Sequence, residues 1–425
     1  MLWSRLFAAL VSRNYRLFFG GQVVSLIGTW MTQTASLWLA YHLSSSAFVL
    51  GLVGFANQAP IFVLAPLAGV WVDRVNRHRL LVLTQVLAML QSFALAIFAL
   101  TDTMTIPHLV ALCLVQGVIN AFDMPVRQAL VVELVEKKEH LGNAIALNSS
   151  MFNLARLVGP ALGGFVIAGV GVGYCYVIDG LSYVAVILAL LAMRLTPRAE
   201  PRKTQHPLIE LREGFQYVAG FAPVRALILL VASISAVGFS YAVLTPIFAR
   251  DVFGGDARTL GALMAASGIG ALLGAIYLGG RKAIRGLGHV ICIGGGCLGL
   301  ALLGFAWSRW FPVSFACLML AGAGGVLLMA SSNTLVQTMV PDDKRGRVMS
   351  IFAMAFTGTA PIGNLIAGTV AGHFGARLTL VFAGTISLLV VALFFRRLPS
   401  LRAEAAPVLA AQESAKSSPP SGTTA

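Results

Sequence analysis

Gly69-Val70-Trp71-Val72-Asp73-Arg74-Val75-Asn76-Arg77-His78-Arg79 stands between two long apolar runs. Three arginines and an aspartate crowd into its last seven positions, where an apolar run over 49–72 would leave a bilayer. Hydrocarbon cannot solvate such a cluster, so the stretch reads as a tight aqueous turn between two membrane helices. Gly69 lets a neighbouring helix approach closely. Asp73 is placed to meet the positive N-terminal end of another helix, or a cation. Arg74, Arg77 and Arg79 hold the turn at the cytoplasmic face. A plain positive-inside loop would need the arginines, but neither the glycine nor the aspartate.

The composition agrees. Hydrophobic residues make up 58% of the 425 and charged residues 11%, about half the charged share of a soluble domain. The 44 glycines suit closely packed membrane helices. Met1 to Tyr15 reads as a basic amphipathic segment leading straight into a span, without the pattern of a cleavable signal. Apolar runs, each able to cross about 30 Å of hydrocarbon as a helix, recur at 17–41, 49–72, 80–100, 107–129, 142–168, 173–195, 223–249, 259–280, 286–307, 311–333, 347–371 and 376–395. The expected fold is therefore an all-α integral membrane protein of twelve transmembrane helices.

Orientation follows from the 30 lysines and arginines. With both termini cytoplasmic, only Arg250, Arg258, Arg309 and Arg377 lie outside and Arg156 lies within a span. The same asymmetry accounts for the net charge of +14. Cations scattered over many short loops argue against a nucleic-acid surface. Residues 196–222 form the longest internal polar stretch and divide six spans from six. Leu130–Val135 followed by charges is echoed by Leu335–Val340 followed by Asp342–Arg347, and Pro160 and Pro361 fall at similar places in the fifth and eleventh spans. This predicts an N-terminal bundle over 1–195, a cytoplasmic loop over 196–222 and a C-terminal bundle over 223–397, the two bundles being pseudo-symmetric. A disordered cytoplasmic tail is expected over 398–425.

The chain carries no nucleophile–base set, metal cluster or phosphate loop, so it does not read as an enzyme, and no cofactor is expected. Gly294-Gly295-Gly296 falls inside a span and reads as helix packing. The five cysteines also lie in apolar runs, as packing residues. Polar residues inside spans carry the functional reading, because each is costly unless used. Gln22, Ser25, Thr29, Gln33 and Ser36 recur at steps of three or four on one face of the first span, with Thr32 at its edge. That stripe lines a hydrated cavity or bonds neighbouring helices. Ser240 and Tyr241 are a weaker counterpart in the seventh span. Asn153 and Arg156 share a face of the fifth span, and Asp179 stands about six residues into the sixth. Asp179 is the acid best placed to carry a proton, with Arg156 as a modulating cation or, alternatively, a polar neighbour as a fixed partner. Asp123 and Arg127 stand near the cytoplasmic end of the fourth span, where Asp123 is expected to face Arg77.

Two motifs resemble those of the major facilitator superfamily of secondary transporters. Gly69, Asp73, Arg74, Arg77 and Arg79 resemble its loop 2–3 signature. Gly159-Pro160-Ala161-Leu162-Gly163-Gly164 resembles the glycine–proline motif that its antiporters carry in the fifth helix. The resemblance implies alternating access by two six-helix halves, with Asp73, Arg77 and Asp123 among the contacts that hold the halves together. There are departures. Cys113 occupies the place of the superfamily's fourth-helix arginine, and the second copy of the loop motif, near Gly280, has lost its aspartate. Asn14–Gln22 and Asp123–Gln128 are similar to the enterobactin-exporter and macrolide-efflux branch. That similarity implies a monomeric, multi-pass protein of a bacterial inner membrane, which exports a siderophore or drug-like amphiphilic small molecule in exchange for protons. A lipid or metabolite carrier, or a non-transporting receptor or scaffold, are the alternatives.

Overall fold

The computed structural model of the chain describes residues 8–72, 75–135, 138–193, 207–281 and 286–417. The first half supplies α1 (Arg13–Ser44), α2 (Ala47–Val72), α3 (Arg77–Leu100), α4 (Ile106–Leu134), α5 (Leu141–Val170) and α6 (Val172–Leu191). A connecting helix, α7 (Pro207–Gly220), follows. The second half consists of α8 (Ala222–Val237), α9 (Tyr241–Ile247), α10 (Ala257–Gly279), α11 (Leu287–Trp307), α12 (Phe311–Met339), α13 (Asp342–Thr357), α14 (Thr359–Phe374) and α15 (Ala376–Ser417). No strand occurs among the described residues.

Local chemistry sets the ends. Asn76, inside the motif turn, caps α3 by accepting from the Arg79 amide at 3.0 Å. Asp256 caps α10 through the amides of Arg258 and Thr259. Gly171 (φ 102°) and Gly375 (φ 83°) turn the chain at equivalent points, before the last helix of each half. A side chain at that φ would be strained.

Helix pairing repeats between the halves. In the first, α1 packs on α5 and α6, α3 on α4 and α6, and α2 on α4. In the second, α8 packs on α14 and α15, α11 on α12 and α15, and α10 on α12. Across the middle, α2 meets α14 and α5 meets α10. A Cβ on Gly51 would stand 2.8 Å from the Gly368 Cα, one on Gly164 would stand 2.6 Å from the Ala257 carbonyl oxygen, and one on Gly268 would stand 2.7 Å from the Leu157 Cα. The seams are therefore backbone against backbone, which only these glycines permit. These approaches lie at mid-depth and toward the end that carries the Gly171 and Gly375 turns. Tyr41 also donates to Asp251 at that end.

Among the described residues, eleven helical segments are long and apolar enough to cross a membrane. The first span, α1, is 32 residues long, but its polar stripe keeps it below that mark. Two further spans are broken. The seventh unwinds at 238–240 between α8 and α9, then passes into a wide π-type turn over Phe248–Val252. The eleventh is interrupted at Gly358, between α13 and α14. The breaks touch: Ser235 donates to the Phe356 carbonyl, and Thr359 donates to that of Ala232 at 3.0 Å.

Two expectations change. The loop over 196–222 contains α7, which docks on α13 through the Arg347–Glu213 ion pair and Lys344 over the Tyr217 ring. The tail expected to be disordered from 398 continues instead as helix to Ser417. Leu398, Leu401 and Ala405 recur at helical spacing and are buried, and Leu398 reaches Gly288 at the start of α11. That apolar stripe extends the helix beyond the last membrane crossing.

Candidate functional site

The polar stripe of α1 turns inward, into the first six helices. Asp179 on α6 is 1% exposed. Its Oδ2 accepts from Thr32 Oγ1 at 2.9 Å and from Ser92 Oγ of α3 at 2.8 Å. Its Oδ1 is buried with no hydrogen-bond partner among the described residues. The carboxyl is brought this close by Gly28, where a Cβ would stand 2.6 Å from Oδ1. One turn along α6, the Tyr183 hydroxyl lies 3.3 Å from Thr29 Oγ1, and Tyr176 makes the same contact with Ser36. Gln33 is half-buried on the same helix. Among the described residues, no cation touches Asp179. Hydroxyls alone meet whatever charge it carries, an expensive arrangement for an ionised group.

Toward the motif turn, Asp123 forms a second cluster. Arg127, four residues along α4, pairs with its Oδ2. Thr84 (2.9 Å) and Gln85 (2.6 Å) of α3 donate to its Oδ1. Arg127 also donates to Gln22 Oε1 at 3.2 Å. Gln22, Gln85, Asp123 and Arg127, with Ser25, Thr29, Gln116, Asn120 and Tyr183, line a cavity of about 30 Å³ within the first half. Gln22 Nε2, Arg127 Nε and Gln85 Oε1 are buried there without a hydrogen-bond partner among the described residues. Two donors and an acceptor around one small polar chamber suit solvent.

A third cluster lies on the other side of α1. Arg156 of α5 lies 6.0 Å from the centroid of the Trp30 ring. Its Nη2 donates to Ser267 Oγ of α10 at 3.2 Å. Ser267 Oγ also lies 2.7 Å from the Tyr241 hydroxyl, at the start of α9. Ser240 turns back to the Val237 carbonyl at 2.7 Å, inside the break of the seventh span. Asn153 binds the Ser149 carbonyl one turn below Arg156. The glycine–proline motif packs in both directions. Gly159 and Gly163 lie against Trp30 and Met31 of α1, while Pro160 and Gly164 lie against Gly261 and Ala257 of α10.

Two expected pairings are corrected. Asp123 is held by Arg127, Thr84 and Gln85, not by Arg77. An i,i+4 arginine on its own helix reaches it first, and Arg77 pairs with Glu133. Arg156 and Asp179 do not meet, because their α1 neighbours, Trp30 and Thr32, are two residues apart and point to different faces. Gly69 lies in the last turn of α2 and Arg79 in the first turn of α3, while Asp73 and Arg74 lie outside the described residues. Thr84, Gln85, Ser92, Tyr183 and Ser267 complete the clusters without having been singled out from the sequence. The signal for three of them was present, since polar residues recur through the otherwise apolar third span at 84, 85, 91 and 92.

Comparison with known proteins agrees with this architecture. Residues 4–418 match a family described as transmembrane secretion effector. The chain is 27% identical to the staphyloferrin A transporter of Staphylococcus aureus, over 91% of this chain and 97% of that protein. It is 27% identical to the multidrug efflux pump Tap of Mycolicibacterium fortuitum, over 88% and 93%. Identity to the enterobactin exporter EntS of Shigella boydii is 25%, over 88% of each chain. Among solved structures, a bacterial homologue of the lysosomal transporter Spinster, inward-facing and unoccupied, superposes with a TM-score of 0.71. That match has 14% identity and covers 92% of this chain and 98% of that one, so it speaks for the fold alone.

Proposed function

Given that the chain belongs to the transmembrane secretion effector family of major facilitator transporters, we propose that it is a proton-driven antiporter exporting a siderophore or drug-like amphiphile across a bacterial inner membrane. The reading takes 1–195 and 223–397 as halves that rock against each other, with 196–222 as the strap between them. Both termini are taken as cytoplasmic, because lysine and arginine gather at that end. In that orientation the close glycine seams lie at mid-depth and outward, an arrangement suited to an inward-open state. The relatives that carry siderophores and drugs support export of the same substrate classes.

One observation carries the coupling. Asp179 is a buried carboxyl that, among the described residues, is served only by hydroxyls and meets no cation, and a group in that setting changes charge by exchanging a proton. Protons then move inward as substrate moves outward, and Asp179 is loaded and unloaded on opposite sides in turn. The test is reconstitution of the purified protein into liposomes containing a fluorescent amphiphile. An imposed pH gradient should drive accumulation against the substrate's own gradient, and a protonophore should abolish it. Accumulation indifferent to the pH gradient would remove proton coupling from the reading and leave a carrier.

A further inference from the structure

Among the described residues, Arg156 is a cation inside a membrane span without an ion-pair partner. Arg127 is paired with Asp123, Arg77 with Glu133, and Arg347 with Glu213. Arg156 lies midway along a membrane helix and has only a serine hydroxyl and the face of a tryptophan. A guanidinium offers five N–H donors, and one of these goes to Ser267. Such a cation is costly at that depth unless an anion joins it.

We propose that Arg156 receives the anionic group of the transported molecule, so that the preferred substrates are acids, carboxylates above all, carried on an aromatic or apolar body. This rests on the transporter reading, but not on proton coupling. The surroundings fit such a ligand. Trp30 and Phe152 meet edge to face at 5.7 Å beside the guanidinium. Phe152 is 43% exposed, so an aromatic surface is available next to the charge. Planar bidentate pairing with a carboxylate is the geometry for which arginine is suited and lysine is not.

The site also explains how binding would be sensed. Arg156 and Trp30 belong to the first half, and Ser267 and Tyr241 to the second. An anion that draws the guanidinium off Ser267 removes a polar tie across the seam and leaves Ser267 to Tyr241, next to the broken seventh span. A ligand shifts a conformational equilibrium only by binding its states unequally, and here the two states would differ in whether Arg156 is tied to the other half.

A matched pair of probes tests this: pyrenebutanoate and its neutral amide, bound to the purified full chain in uncharged detergent micelles and followed by pyrene fluorescence. The wild type should bind the acid at least tenfold more tightly than the amide. Arg156→Gln should lose that preference with amide binding unchanged, Arg156→Lys should keep part of it, and Ser267→Ala should keep all of it. Equal binding of both probes by the wild type, or an undiminished preference in Arg156→Gln, would overturn the proposal. So would loss of the preference in Ser267→Ala, since Arg156 would then be only a latch. Phosphatidylglycerol added to the micelles separates the other source of an anion. Displacement of the acid at equimolar lipid would assign the site to a lipid headgroup and overturn the substrate role, whereas retained binding supports it. A preserved acid preference in protein that moves no substrate in liposomes would count against the transporter reading and leave the anion site standing.

Discussion

Two opposite charges sit near the middle of the molecule, on different faces of one helix. On the side of α1 that carries Thr32, Asp179 is enclosed by α1, α3 and α6, all from the first half. On the side that carries Trp30, Arg156 reaches from α5 to Ser267 of the second half. Relative motion of the halves can alter the partners of Arg156 but need not disturb those of Asp179. A group sealed within one rigid body is suited to hold a proton through the movement. A group on the seam is suited to report whether something is bound. Keeping the charges apart also prevents them from neutralising each other, which would leave neither free to act.

The largest expected effect comes from removing the enclosed acid. Asp179→Asn should abolish gradient-driven accumulation, a loss of tenfold or more, while downhill substrate exchange survives. Wild-type accumulation by this variant would make Asp179 a packing residue and remove one side of the comparison. Next comes the wall behind it. Gly28→Val puts branched carbon where Oδ1 of Asp179 stands, and overpacking of that kind costs about 1–3 kcal/mol. A lowered Tm with lost accumulation is expected, whereas unchanged values would mean that α1 and α6 are not held this tightly. Ser92→Ala against Ser267→Ala is the sharper contrast. Each removes a hydroxyl bonded to a charged group, worth about 1.5–3 kcal/mol. Only the first should weaken proton-driven accumulation, and only the second should change the rate at which the halves interconvert, read by a fluorophore pair across the α5–α10 seam. Identical effects would erase the distinction. The smallest effect is expected far from both charges. Glu213→Gln breaks a partly exposed ion pair between α7 and α13, and such pairs are worth about 0.2–1 kcal/mol. Stability and transport should therefore stay close to wild type.

Much of this was legible in the sequence, because a bilayer enforces simple rules. Apolar length gave the spans, basic residues gave an expected orientation, and the placement of Arg156 and Asp179 inside apolar runs marked them as costly. Partner choice was not legible. A stripe at steps of three or four defines a face of α1, but not which of its neighbours that face will meet. Gln22 to Ser36 was read as lining a cavity or bonding helices. The structure has much of it bonding: Gln22 to Arg127, Thr29 to Tyr183, Thr32 to Asp179 and Ser36 to Tyr176. The pairing of Asp123 was missed for a related reason. Proximity to the motif turn suggested Arg77, yet Arg127 was already one turn away on the same helix. The helical continuation past Arg397 was hidden by a composition rich in alanine, serine and proline, in which three apolar positions at helical spacing outweighed the rest.

The same stripe has a consequence for how the protein is made. Translation delivers α1 to the membrane while Ser92, Arg127, Tyr176, Asp179 and Tyr183 are still unsynthesised. Until they arrive, Gln22, Thr32 and Ser36 face lipid or translocon without these partners, on a span that, among the described residues, falls short of the hydropathy of the others. Its hold on the bilayer is therefore provisional. A nascent chain arrested after α2 should be extractable from the membrane by alkaline carbonate, and one arrested after α6 should resist it. The anchoring of α1 waits for helices that follow it in the chain.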